Sequence, residues 1–275
     1  MAESLPSQAI LSTVNMVVDQ SASIVSVTSE KNLFRKERIR DARRTATWRS
    51  TSDGAQSIVV KLQTADKPQV VSLVNCNVSS GETITLKSAD DESIATNVAT
   101  WNLSTYAQSR RKTLRWYLGT ADANPENEAD RLYWEFTLPN NGSDSTEYYE
   151  LGLIWMGDYT AFNLGSVGRS INDPSEIAVS DGGARYPDVR DTSHELDVDT
   201  PAHPEADAFS IADELDLAGA TRHVLLDLWA PTSTDANRAN GTYYGTFDED
   251  VLRMDRSADN SLREDLGFSF VEARA

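Results

Sequence analysis

Residues 57–88 read SIVVKLQTADKPQVVSLVNCNVSSGETITLKS. Three apolar, β-branched runs, Ser57 to Gln63, Gln69 to Val78 and Glu82 to Ser88, are parted by Asp66-Lys67-Pro68 and by Ser79-Ser80-Gly81, both turn-forming combinations. With Thr47 to Ser50 ahead of them, four strands fit into about forty residues, which predicts antiparallel pairing.

Outward from this stretch the same grammar continues. Thr113 to Leu118, Arg131 to Leu138 and Tyr148 to Met156 are further strand candidates, joined by Asn-, Pro- and Gly-rich connections such as Pro139-Asn140-Asn141-Gly142. Upstream, Ser23 to Thr28 alternates like a strand, and residues 5 to 20 fit either an N-terminal arm or a first strand. The basic segment from Glu30 to Arg44 has no Gly or Pro and predicts a helical turn or two. Beyond Gly165 the chain becomes polar. Strands are expected at Glu176 to Val179, His194 to Val198, His223 to Trp229, Thr242 to Phe247 and Gly267 to Glu272, with one helix at Phe209 to Leu217. The expected fold class is all-β with minor α: a jelly-roll-like β-sandwich over residues 1–164, then a smaller β-rich domain with one short helix over 165–275.

Charge divides the chain. Its net charge of -18 combines 15 basic and 11 acidic side chains in residues 1–115 with 10 basic and 32 acidic in residues 116–275. Arginines outnumber lysines 19 to 6 and aspartates outnumber glutamates 26 to 17, a bias that predicts adaptation to high salt, where dense short carboxylates hold hydration water. The positive residues cluster at Arg35, Lys36, Arg38, Arg40, Arg43, Arg44 and Arg49, and again at Arg110, Arg111, Lys112 and Arg115. A nucleic-acid partner is disfavoured, because the acidic remainder repels phosphate and no aromatics interleave the first cluster. A basic patch on an acidic body is instead complementary to copies of itself, so Arg35, Lys36, Arg38, Arg40, Arg43, Arg44, Arg110 and Arg111 are the candidate interface.

Chemistry-bearing motifs are absent. The chain has no G-x-x-x-x-G-K-[ST], H-E-x-x-H, C-x-x-C or G-x-S-x-G, and with one cysteine, Cys76, and three histidines it predicts neither disulfides nor a zinc centre. Cys76 lies in an apolar strand pattern and is read as a small buried hydrophobe. Ca²⁺ is conceivable at Asp188, Asp191, Asp197 and Asp199 or at Asp248-Glu249-Asp250, although neither group follows a known loop pattern, and no cofactor is expected. Most tryptophans fall inside strands, where core packing is the default. Trp101 and Tyr159 are the aromatics best placed on loops for contact with a glycan. No stretch approaches the roughly eighteen apolar residues of a membrane span, and Met1-Ala2-Glu3-Ser4 begins no signal peptide, so neither membrane insertion nor secretion is expected.

Two resemblances add to this reading. Thr47-Trp48-Arg49-Ser50, Ser57 to Leu62, Val70 to Val78 and Thr83 to Leu86 together resemble the discoidin or galactose-binding-like jelly roll over about residues 20–160. The chain departs from that pattern in lacking an Asp-Leu-Gly ending to the second strand and paired cysteines. Residues 165–275 are similar in layout to tail-associated structural proteins of tailed viruses: Ser180-Asp181-Gly182-Gly183, a short helix near Ala212, the His223 strand, Tyr243-Tyr244-Gly245-Thr246-Phe247 and a closing Leu266 to Glu272. The second resemblance implies a non-enzymatic virion component, of tail or baseplate, assembled in the host cytoplasm from copies of itself and other virion proteins. The first implies the alternative, recognition of host-surface glycans.

Overall fold

A computed structural model describes residues 8–43, 46–107, 113–118, 129–140, 148–172, 176–179, 185–188, 193–200, 203–219, 221–228, 241–248, 253–256 and 263–273. The first half contains β1 (Gln8–Ser12), β2 (Ser23–Val27), β3 (Trp48–Arg49), β4 (Gln56–Asp66), β5 (Val70–Cys76), β6 (Thr83–Ala89), β7 (Ala99–Ser104), β8 (Leu114–Tyr117) and β9 (Arg131–Leu138). There follow β10 (Glu150–Gly157), β11 (Thr160–Asn163), β12 (Ser166–Asn172), β13 (Glu176–Val179), β14 (Arg185–Asp188) and β15 (Ser193–Asp199). The remainder is β16 (His203–Pro204), helix α1 (Glu205–Ala218), β17 (Val224–Asp227), β18 (Thr242–Phe247), β19 (Arg253–Arg256) and β20 (Arg263–Glu272). The protein is all-β with minor α, as its sequence predicts.

Two sheets form a sandwich. One has the order β2-β4-β9-β6-β7 and the other β3-β10-β5-β8, and every pairing within them is antiparallel. Ile58, Val60 and Leu62 of β4 alternate inward to meet Leu73, Trp48 and Ile154 of the facing sheet in one core. Strand β5 is buried along its whole length because it is covered on both faces: Val71 and Leu73 enter the sandwich core, whereas Val70 and Val74 face the opposite way into a separate cluster with Leu153, Trp155, Leu225 and Tyr244. Asn75, at φ 53°, resets the alternation, so that Cys76 returns to the sandwich core.

That separate cluster seats the sandwich on a third layer. The nine-stranded sheet runs β11-β1-β17-β18-β20-β15-β12, with β16 and β19 also paired to β20, and α1 packs on its far side through Ile211, Leu215 and Ala218. The layers therefore do not divide at the expected 164/165 boundary. Strand β1 lies between β11 and β17, with Leu11 opposite both Thr160 and Leu226, because its apolar Ala9 and Leu11 complete the core of the large sheet. The helix begins before its expected start and leaves Phe209 48% exposed, so Phe209 is not part of the packed stripe. It ends at Gly219, whose φ of 55° allows its N–H to reach Leu215 O at 2.9 Å. The basic segment forms a 3₁₀ turn, Lys36–Arg40, anchored by buried Ile39.

Candidate functional site

A cleft of about 210 Å³ opens where the three layers and the helix meet, lined by Thr13, Met16 and Gln20, by Asp66 at the end of β4, by Asp158, Tyr159 and Thr160 between β10 and β11, and by Glu214 of α1. Its N-terminal wall is held by buried Asn15. The Asn15 side chain donates to Ile154 O at 3.1 Å and accepts from the backbone N–H groups of Val17 at 3.0 Å and Met156 at 3.2 Å. Gly157 permits this closeness, since a Cβ there would stand 2.3 Å from Val14 O. Ser12 ties the opposite wall by donating to Asp158 O at 2.5 Å while accepting from the Trp155 indole at 3.0 Å.

The cleft is rich in acceptors. Thr13 donates its hydroxyl to Glu214, and Gln20 Oε1 is buried without a hydrogen-bond partner. Among the described residues no basic side chain lines it. The Asp158 carboxyl is raised above its ordinary range, first by desolvation and then by the negative charges of Asp66 and Glu214. Tyr159 is half-buried, with its ring edge-on to Tyr117 at 5.5 Å.

Tyr159 is thus the one expected glycan-contact residue that the fold brings to a cleft. Trp101 is corrected: it lies in β7 rather than a loop, is 5% exposed, and stacks on Trp134 at 5.5 Å, so it offers no ring face to a ligand.

The expected basic interface is only partly free. Arg35 is exposed, and the Arg43 side chain, 77% exposed, pairs with Asp41 two residues away. Lys36 Nζ donates to Val25 O at 2.7 Å and exposed Arg40 to Ala22 O at 3.0 Å, so both brace the turn against the chain around β2. Arg38 stands 5.4 Å over the Phe34 ring. Arg44, Arg110 and Arg111 lie outside the described residues.

Arg115 belongs to the second basic cluster of the sequence but not to the candidate interface, and the fold buries it. Its guanidinium meets Asp227 at 2.6 Å and donates to Thr242 Oγ1 at 2.8 Å, joining β8 of the sandwich to β17 and β18 of the large sheet, while Tyr117 also donates to Asp227. Burial and then the Asp227 charge push the Tyr117 phenol well up. Among the candidate Ca²⁺ ligands, Asp197 accepts from Ser269 at 2.6 Å and Asp199 from Ser166 at 2.8 Å. Among the described residues no three acidic, His or Cys side chains gather closely enough to hold a metal ion.

No family model matches the chain, and no curated protein does. Several solved structures share part of its layout. Chitosan-binding module 1 of a chitosanase/glucanase from Paenibacillus sp. IK-5 is 19% identical over 52% of this chain and 97% of its own, with a TM-score of 0.38. The family 32 carbohydrate-binding module of NanJ from C. perfringens, solved with galactose, is 13% identical over 54% of this chain and 100% of its own, also at 0.38. The N-terminal domain of the single-strand break repair protein XRCC1 is 12% identical over 49% and 94%, at 0.39. At these identities and scores the likenesses assign neither a family nor a ligand.

Proposed function

We propose that the protein recognises carbohydrate without catalysis, seating a sugar residue in the cleft bounded by Gln20, Tyr159, Asp66, Asp158 and Glu214. The observation that carries this reading is the cleft's excess of acceptors: three carboxylates line the walls beside Tyr159, and the Thr13 hydroxyl already donates to Glu214. A ligand that satisfies such walls brings several donors on a small frame. A sugar ring does this while laying a C–H face on tyrosine. At about 210 Å³ the cleft is below the common range of roughly 300–1,000 Å³ for drug-sized ligands, which suits the terminal residue of a glycan. The test is a glycan array with the full chain, followed by calorimetry of the hits against Gln20→Leu and Asp158→Asn. Loss of affinity of about tenfold or more in either variant supports the cleft; unchanged affinity in both removes it.

A second reading is a repeated structural component, such as a viral tail or baseplate protein. One observation favours it: Arg35 and Arg43 are exposed on one short segment, while β15 presents Glu195, Asp197 and Asp199 to solvent. Exposed charges of opposite sign on one chain favour association of copies. Reversing Arg35 and Arg43 to glutamate is expected to reduce self-association in sedimentation without changing the melting temperature, and identical sedimentation would discard this interface.

A further inference from the structure

We infer that Tyr117 is a positioning residue for the sugar-binding ring of Tyr159, holding that ring in one orientation before a ligand arrives; the inference rests on the carbohydrate reading above and deepens it. Tyr117 is not among the residues that line the cleft. Its ring meets that of Tyr159 edge to face, with centroids 5.5 Å apart and planes at 80°, an arrangement favoured because the edge of one ring is positive and the face of the other negative. Both rings also pack against the apolar cluster that seats the sandwich on the large sheet.

Tyr117 sets an orientation because its own is fixed on two further sides. Its hydroxyl donates to the Asp227 carboxylate, and the Arg115 guanidinium stands 5.1 Å over its ring. The Arg115 and Asp227 side chains are both buried and pair with each other at 2.6 Å. The backbone beside Tyr159 is anchored separately: Gln69 N–H donates to Gly157 O at 3.0 Å, and Tyr159 N–H donates to Gln69 Oε1 at 3.4 Å. What this anchor leaves open is the side-chain torsion, since a half-buried tyrosine has more than one staggered position. The edge of Tyr117 closes that choice. A ring already ordered spares the ligand the cost of ordering it, so Tyr117 acts on affinity through Tyr159. Arg115 lies at the same strand as Tyr117, β8 of the sandwich, and Asp227 lies in β17 of the large sheet, so the orientation of the binding ring depends on the docking of one layer on the other.

The test compares the full chain with Tyr117→Leu, which removes the ring, and with Tyr117→Phe, which keeps the ring and loses the hydroxyl. Three-bond couplings across the Tyr159 Cα–Cβ bond are measured without ligand, and affinities for methyl galactoside, methyl glucoside and N-acetylglucosamine by calorimetry. The parent is expected to hold one Tyr159 rotamer. In Tyr117→Leu the couplings are expected to average and affinity to fall about three- to tenfold. Tyr117→Phe is expected to melt below the parent, having lost its bond to Asp227, yet to keep the single rotamer and most of the affinity. Affinity that follows melting temperature across both variants overturns the inference, because a merely structural tyrosine would give that result. Averaged couplings in the parent, or a single rotamer retained in Tyr117→Leu, overturn it as well. A sugar that binds the parent and Tyr117→Leu equally removes the positioning role and leaves the carbohydrate reading standing. Binding of none of the sugars overturns the carbohydrate reading and this role with it.

Discussion

Trp101 and Trp134 stack at 5.5 Å inside the sandwich, so Trp101→Ala would remove a large apolar surface and leave a void against its partner. The expected cost is about 3–5 kcal/mol in chemical denaturation, with glycan affinity of the folded fraction unchanged; a loss of affinity alone would return Trp101 to the binding surface. Asp158 makes the opposite kind of prediction. Its folded-state carboxyl is raised, so the stability it contributes is present below the ordinary carboxylate pKa of about 4 and is lost as pH rises through the raised value. Asp158→Asn should therefore melt with the parent near pH 3.5 and above it at pH 7. A difference constant across that range would show that desolvation and the neighbouring acids do not raise this carboxyl. The two residues also show what was legible. Tyr159 stands beside Gly157-Asp158, a local turn signal, and the fold places it at the cleft; Trp101 looked like a loop residue because Thr100, Asn102 and Ser104 around it are polar, although that alternation is the mark of a half-buried strand. Gln20, Asp66 and Glu214 carry no shared motif and meet only through the fold.

Strands β8 and β17 are bridged by Arg115 and Asp227, and the bridge crosses from the sandwich to the large sheet. Removing one partner strands the other as a buried charge, so Asp227→Asn is expected to cost about 3–5 kcal/mol, while Arg115→Met with Asp227→Leu should cost less than the two single changes summed. Additive costs would mean that the pair does not act as a unit. Nothing near Arg115 in the chain announces this: it follows Arg110-Arg111-Lys112, and its partner is more than a hundred residues away. Strands bounded by turn residues were legible for the reverse reason, since period-two alternation and Gly, Pro and Asp punctuation are local. Thus Arg131 to Leu138 is found as expected, and β4 and β6 differ only at their ends. Strand β1 was ambiguous because Gln8 to Ser12 becomes a strand only when β11 and β17 flank it.

At the scale of the molecule, charge and chain order matter most. With a net charge of -18, self-repulsion in the compact state should relax as salt screens it, so the melting temperature is expected to rise between dilute buffer and about 2 M salt. Insensitivity would end the high-salt reading. Light scattering on the same samples would report association. The seating of β1 between β11 and β17 carries a consequence for biogenesis. Ile10 pairs with Ala161 on one side and Asp227 on the other, so β1 gains its first neighbour only when β11 has been made and its second only when β17 follows. The sandwich strands can close during that delay, while the large sheet cannot be completed until its earliest-made member is captured. A nascent chain stalled between β11 and β17 would therefore leave β1 paired along one edge and open along the other, an unfilled slot in the middle of the large sheet.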